Sequence, residues 1–214
     1  STMISNEIIF FILCSYLTGS FSSAVFLGRI FFNLDVREFG SGNAGAANTF
    51  RVLGLKAGFA VFILDVLKGF IAVNYVTFLS NSSTLLALNP EGYFEASLVF
   101  GIAAVLGHLF PIYTGFRGGK GISTMLGLLI GVHFIASIYS LISFIIILLI
   151  TRYVSVASIL SSFVFMIIIL FFFEVSSSLS LFSLFVPILS LITHQKNIER
   201  LIRGEETKVI FGKK

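Results

Sequence analysis

The chain has 214 residues, of which 57% are apolar and only 11% charged, with a mean hydropathy of +1.03. A soluble domain carries about 25% charged residues to cover its water-facing surface, so this composition argues against a soluble enzyme, and high apolar content without a G-x-y or heptad period argues against disorder or a fibre. The formal charge of +4 and pI near 9.3 fit basic cytoplasmic loops of a membrane protein better than a nucleic-acid surface.

Leu141–Ile150 is one nearly unbroken apolar run, which favours membrane-spanning helices over the alternating strands of a barrel. In chain order, Ser1 and Thr2 read as residues added ahead of Met3. Apolar stretches follow near 7–28, 57–79, 94–113, 122–150, 154–173 and 179–193. The first has no basic n-region and is read as a retained span. Its Cys14, the sole cysteine, is expected to pack. Trp is absent, so the six Tyr are the only candidate interfacial anchors.

The gaps between these stretches differ in charge. Arg29, Arg37, Arg51 and Lys56 lie in the first, Arg117 and Lys120 in the third, and Arg152 in the next. Lys196, Arg200, Arg203, Lys208, Lys213 and Lys214 fill the tail. Ser80–Tyr93 and the turn after Glu174 hold no Lys or Arg. The positive-inside rule then places the N-terminus outside and the 115–121 loop inside. A single helix over 122–150 would put Arg152 and the tail outside. Splitting it near His133 puts every basic loop inside, at the cost of two short halves of about 14 residues, or roughly 21 Å each. The expected fold is a single all-α domain of seven transmembrane helices over 1–214, N-terminus out and C-terminus in, with 195–214 as a cytoplasmic tail.

This topology brings four polar segments to the cytoplasmic side: GSGNAGAANTFR (40–51), GHLFPIYTGFRGGKGIST (107–124), TRYVSVAS (151–158) and HQKNIERLIRGEE (194–206). A transporter should concentrate its polar groups near the midplane, in repeated halves. Polar groups gathered at one interface favour an enzyme.

GSGNAG matches G-x-G-x-x-G at Gly40, Gly42 and Gly45, with Asp65 following. No strand precedes the glycines and Asp65 lies inside a span, so a dinucleotide fold is rejected. Small residues such as Gly40, Gly42 and Asn43 can still expose backbone N–H groups to an anion. Asn48 and Arg51 extend that polar run, and Arg51 suits bidentate phosphate contact. The alternative is a Gly-rich turn with a snorkelling Arg. FRGGKG fails the P-loop pattern, because Thr114 replaces its first Gly and Gly121 its final Ser or Thr. Gly118, Gly119 and Gly121 nevertheless permit close approach of an oxyanion, with Arg117 and Lys120 as cations; the plain alternative is a positive-inside loop. His194 and Asn197 share one side of a helical turn, where His194 can accept a hydroxyl proton or orient a phosphate. His108 is expected to hold its turn by hydrogen bonding, and His133 has no assigned chemistry. Asp65 and Lys68 are either a structural intramembrane pair or part of the site. No Cys/His spacing suggests a metal.

Together with FILDVLKG (62–69) and RYVSVASI (152–159), these segments resemble, in order, the bacterial acyl-phosphate:glycerol-3-phosphate acyltransferase family (PlsY). The resemblance runs from Leu17 to Glu206. Ala47 departs from it, where the family more often has Thr. It implies seven spans in the bacterial inner membrane with a cytoplasmic active site. The implied reaction is acyl transfer from acyl phosphate to the 1-hydroxyl of sn-glycerol 3-phosphate, giving lysophosphatidate and inorganic phosphate, the first acylation of phospholipid synthesis. The resemblance implies no cofactor. Partners would be the two substrates, the bilayer and the soluble enzyme that makes acyl phosphate. Carried over by motif, Ser41, Arg51, Lys120, Ser155, His194 and Asn197 would form the polar site. The His-x4-Asp motif of other acyltransferases is missing, since Glu199 stands where that Asp would follow His194.

Overall fold

The computed structural model of the chain describes residues 2–79 and 90–209. Residues 80–89, most of the expected first external loop, lie outside the described residues, as do Ser1, Lys213 and Lys214. Every regular element described is helical, and the chain divides into two compact units at Val132/His133.

The first unit contains α1 (Thr2–Ser20), α2 (Ser23–Phe32), α3 (Ala46–Leu53), α4 (Leu55–Asn74), α5 (Val76–Leu79), α6 (Pro90–Leu109) and α7 (Ile122–Val132). Short 3₁₀ turns form at Val36–Glu38 and Ile112–Thr114. The second unit contains α8 (Phe134–Thr151), α9 (Val154–Phe172), α10 (Ser177–Thr193) and α11 (Gln195–Ile202).

Four helical stretches are long and apolar enough to cross a membrane: Leu55–Leu79, Glu91–Thr114, Phe134–Thr151 and Val154–Phe172. Two bent pairs, α1 with α2 and α10 with α11, bring the number to six if each is one span, and the apolar α7 is shorter. The continuous run at 122–150 is broken at Val132–Phe134 as expected, but unequally. His133 caps α8 through Nδ1, which accepts from Ala136 N at 3.2 Å. The halves are 11 and 18 residues long. At 1.5 Å per residue, only α8 approaches the length of a hydrocarbon core, while α7 is about 16 Å long.

Close helix approach follows small residues, with large side chains such as Phe100 and Phe165 filling the core between them. In the first unit α1 meets α6 at Gly19 and Gly107, where an added Cβ would overlap the Ala104 and Tyr16 carbonyls. α4 meets α7 in the same reciprocal way, through Gly69 against Thr124 O and Gly127 against Val66 O. Such backbone-to-backbone approach is the usual means of joining helices where lipid offers no hydrophobic gain from association. In the second unit Ser137, Ser140, Ser155, Ser158 and Ser161 are buried, whereas Ile142, Ile145, Ile146, Leu149 and Ile150 face outward. Ser140 Oγ donates across to Ser161 O at 2.7 Å, joining α8 to α9.

The 7–28 stretch, expected to be a single span, breaks at Phe21–Ser22 with a bend of 43°. A break frees backbone groups that water cannot reach in a bilayer, so side chains must satisfy them. Lys68 Nζ donates to Phe21 O at 2.8 Å and pairs with Asp65 Oδ1 at 3.0 Å. Ser23 Oγ donates to the same Asp65 oxygen at 2.9 Å. Asp65 and Lys68 are both buried, and their contacts with Ser23 and the Phe21 carbonyl hold the α1–α2 break, which gives the pair a structural role.

Candidate functional site

In the first unit, the Gly-rich segment 40–45 leads into α3. Gly40 and Gly42 take left-handed conformations (φ 60° and 71°), which a side chain would strain. Asn48, fully buried, organises this loop. Its Nδ2 donates to Val36 O at 2.8 Å and Phe39 O at 3.1 Å, and its Oδ1 accepts from Ser41 N at 2.8 Å. Both amide hydrogens are therefore committed to the loop, so Asn48 shapes the anion-binding candidate without donating to an anion. Gly40 must be Gly for a second reason: a Cβ there would overlap Asn48 Oδ1. Ser41 and Arg51 are exposed, and the Arg51 side chain makes no hydrogen bond or ion pair among the described residues. Asn43 and Lys120 are half-buried.

The second glycine segment runs from the end of α6 into α7. Gly119 N donates to His108 O at 3.2 Å. An added Cβ on Gly118 would overlap His108 O, and one on Gly119 would overlap His108 Nε2. These glycines thus let the loop lie against the end of α6 as well as exposing backbone to solvent. His108 meets the turn through its carbonyl and its packing. Its ring Nδ1 lies 3.7 Å from Asp65 Oδ1, too far for a hydrogen bond. Gly121 is left-handed (φ 77°) and directly precedes α7, placing Lys120 near the positive end of that helix. Arg117 is exposed beside it. The two loops touch at Gly119, where a Cβ would come within 3.1 Å of Ala44 O.

In the second unit, the chain turns by 61° at His194 between α10 and α11. The buried His194 donates from Nδ1 to Ser190 O at 2.8 Å. A carbonyl can only accept, so the neutral ring is the Nδ1–H tautomer and its basic lone pair is on Nε2. Three residues on, Asn197 Nδ2 donates to Glu206 Oε1 at 2.6 Å. Ser155 Oγ, at the start of α9, donates to the same oxygen at 2.9 Å, and Arg200 Nε donates to Glu206 Oε2 at 2.8 Å. Burial raises the Glu206 carboxyl, but the hydrogen bonds from Arg200, Asn197 and Ser155 outweigh it and hold the group below its ordinary value. The tail is further anchored by Val209 N donating to Arg152 O at 2.7 Å and by Lys208 over the Tyr153 ring.

Sequence reasoning passed over Glu206. Its only signal was a carboxylate placed after the Gly204 turn beyond an amphipathic helix. His133, given no chemistry, caps α8 and stacks edge-on with Phe173 at 4.5 Å. The structure places Ser41, Lys120 and their glycines on linked loops of the first unit, and Asn48 and Arg51 on α3, into which the first loop leads. It brings Ser155 and Asn197 onto one carboxylate of the second, with His194 a turn away.

A model of the family described as glycerol-3-phosphate acyltransferase matches residues 9–204. Glycerol-3-phosphate acyltransferases of Staphylococcus aureus strains Newman and bovine RF122 / ET3-1 are 41% and 42% identical over 206 residues, covering 94% of this chain and 98% of theirs. The crystal structure of PlsY (YgiH), an integral membrane glycerol 3-phosphate acyltransferase, in its glycerol 3-phosphate form superposes with a TM-score of 0.82 at 33% identity. That comparison covers 95% of this chain and 96% of the other. The lysophosphatidic acid form gives 0.79 at 32% identity, covering 95% of each chain.

Proposed function

The chain belongs to the glycerol-3-phosphate acyltransferase family, and from that premise we propose that it transfers a fatty acyl group from acyl phosphate to the 1-hydroxyl of glycerol 3-phosphate. The products are 1-acylglycerol 3-phosphate and inorganic phosphate. The observation that carries this reading is the pair of touching Gly-rich loops, one carrying Lys120 and the other leading into α3, which carries Arg51. Those are groups suited to binding phosphate and stabilising one that departs. The five motifs shared with the acyl-phosphate-dependent family, and the lack of His-x4-Asp, support the donor assignment.

An acyl phosphate is a mixed anhydride and already activated, so orientation and charge stabilisation suffice. The 1-hydroxyl oxygen attacks the acyl carbon, and the new ester C–O bond forms as the bond from that carbon to the phosphate oxygen breaks. Arg51 and Lys120 take up charge on the phosphates, and loop N–H groups and Ser41 add hydrogen bonds. The family motif makes His194 one candidate acceptor of the hydroxyl proton, and a phosphate oxygen of the substrates is the other. Ser155 and Asn197 act through the Glu206 cluster that sets the position of the turn carrying His194. The reading includes seven spans in the bacterial inner membrane, with the N-terminus out and the polar loops and tail in the cytoplasm. The six candidate spans and α7 support that number.

The test uses purified protein in detergent with each of acyl phosphate, acyl-CoA and acyl-carrier protein. Phosphate release that requires glycerol 3-phosphate and yields lysophosphatidate supports the reading; turnover with only the thioesters would sink the donor assignment. Protease accessibility of the tail in right-side-out and inverted vesicles tests the topology.

A further inference from the structure

Arg37, which the sequence offers only as one more positive-inside charge, makes four side-chain hydrogen bonds in the loops of the first unit. Its Nε donates to Asp35 Oδ1 at 3.0 Å and its NH2 to Asp35 Oδ2 at 2.7 Å. Its NH1 donates to Thr114 O at 2.7 Å and to Arg117 O at 3.2 Å. A guanidinium has five N–H donors, so four are in use, and the side chain is only 12% exposed. Arg37 is therefore poorly placed to serve as a phosphate ligand itself.

Those bonds connect two loops far apart in the chain. Asp35 also accepts from Arg37 N at 3.0 Å, which caps the Val36–Glu38 turn, and from Arg29 NH2 at 2.9 Å. Val36 and Phe39, in and after that turn, are the two residues whose carbonyls receive the Asn48 amide. A continuous series of hydrogen bonds thus runs from Thr114 and Arg117, through Arg37 and its turn, to Asn48 and Ser41 N. It joins the segment carrying Lys120 to the segment carrying Ser41 and Arg51.

The geometry points to Arg37, fixed by Asp35, as a positioning residue that sets the spacing of the two glycine loops and so determines affinity for glycerol 3-phosphate. This inference rests on the proposed function, in which those loops hold phosphate. Lysine keeps the charge, but its single ammonium cannot span a carboxylate and two carbonyls in this arrangement. Arg37→Lys therefore separates geometry from net charge. Asp35→Asn is a milder second variant that keeps an acceptor while removing the ionic partner.

The experiment measures KM and kcat for glycerol 3-phosphate at saturating acyl donor, ligand-induced thermal stabilisation by glycerol 3-phosphate, and the unliganded melting midpoint. Arg37→Lys should raise KM at least about fivefold and weaken ligand-induced stabilisation to match, with kcat within about threefold of wild type. Asp35→Asn should shift KM in the same direction by about two- to threefold. An unchanged KM in both variants with a lowered melting midpoint would overturn the proposal and leave Arg37 a purely structural residue. A collapse of kcat at unchanged KM would overturn it in favour of direct participation. If wild type turns over only with another acyl donor, the donor assignment fails, but the KM comparison proceeds with that donor. Wild-type protein that neither binds nor acylates glycerol 3-phosphate refutes both readings.

Discussion

Lys68→Met strands a buried carboxylate. Asp65 is 1% exposed and Lys68 5%, and the ammonium serves both Asp65 Oδ1 and the Phe21 carbonyl at the α1–α2 break. Removing one member of a buried pair costs about 3–5 kcal/mol, mostly from the charge left behind. The exposed Phe21 carbonyl falls within that range, since one unsatisfied buried acceptor costs about 1–3 kcal/mol. In the double variant Asp65→Asn/Lys68→Met no charge is stranded, and the residue at 65 can still accept from Ser23. Its loss should fall to the cost of the open carbonyl, about 1–3 kcal/mol. The pair should therefore couple by about 2 kcal/mol in a double-mutant cycle. For a chain of 214 residues, each kcal/mol moves the melting midpoint by about 2–4 °C, so Lys68→Met should melt roughly 6–20 °C lower and the double variant should recover about half of that. The assay is thermal unfolding of detergent-purified protein, followed by intrinsic Tyr fluorescence. A double variant as unstable as Lys68→Met, with no coupling, would refute the assignment of the pair to the helix break.

Three further outcomes follow from the loops and the tail. Arg51→Ala and Lys120→Ala should each lower kcat/KM by at least about tenfold, or about 1.4 kcal/mol of transition-state stabilisation, in a phosphate-release assay; near-normal rates in both would remove them from the site. Asn48→Asp keeps the shape but turns an oxygen toward the carbonyls of Val36 and Phe39; activity should fall about tenfold and limited proteolysis should reach the 36–45 segment faster, with equal digestion rates counting against an organising role. Glu206 is held below its ordinary value by its donors, so its contribution is complete at neutral pH and is lost as pH falls through the lowered value. The stability advantage of wild type over Glu206→Gln should accordingly shrink on acidification below the ordinary carboxylate range; an advantage independent of pH would show that the charge is not what anchors the tail.

Several features were legible because they depend on residue type summed along a short window. Apolar runs and the scarcity of charge specify membrane helices, and the basic loops called for a break near His133, which the structure places at Val132–Phe134. The Gly-rich segments flanked by Arg51 and Lys120 were visible as candidate anion loops for the same local reason. Partner choice was not visible. Lys68 and Phe21, Arg37 and Thr114, and Ser155 and Glu206 are separated by 47, 77 and 51 positions. The unequal lengths of α7 and α8 could not be read from hydropathy, which is high throughout both; the bend in the first apolar stretch falls at the short polar interruption Thr18–Ser23, which hydropathy averaged over a whole span conceals. Composition by itself thus determined that the chain is a helical membrane protein with basic, glycine-rich loops, because hydropathy and charge sum over neighbouring residues. Tertiary structure alone decided which of its polar groups are committed to holding the fold. A buried donor or acceptor must be satisfied by whatever group helix packing brings within about 3 Å, however distant in sequence.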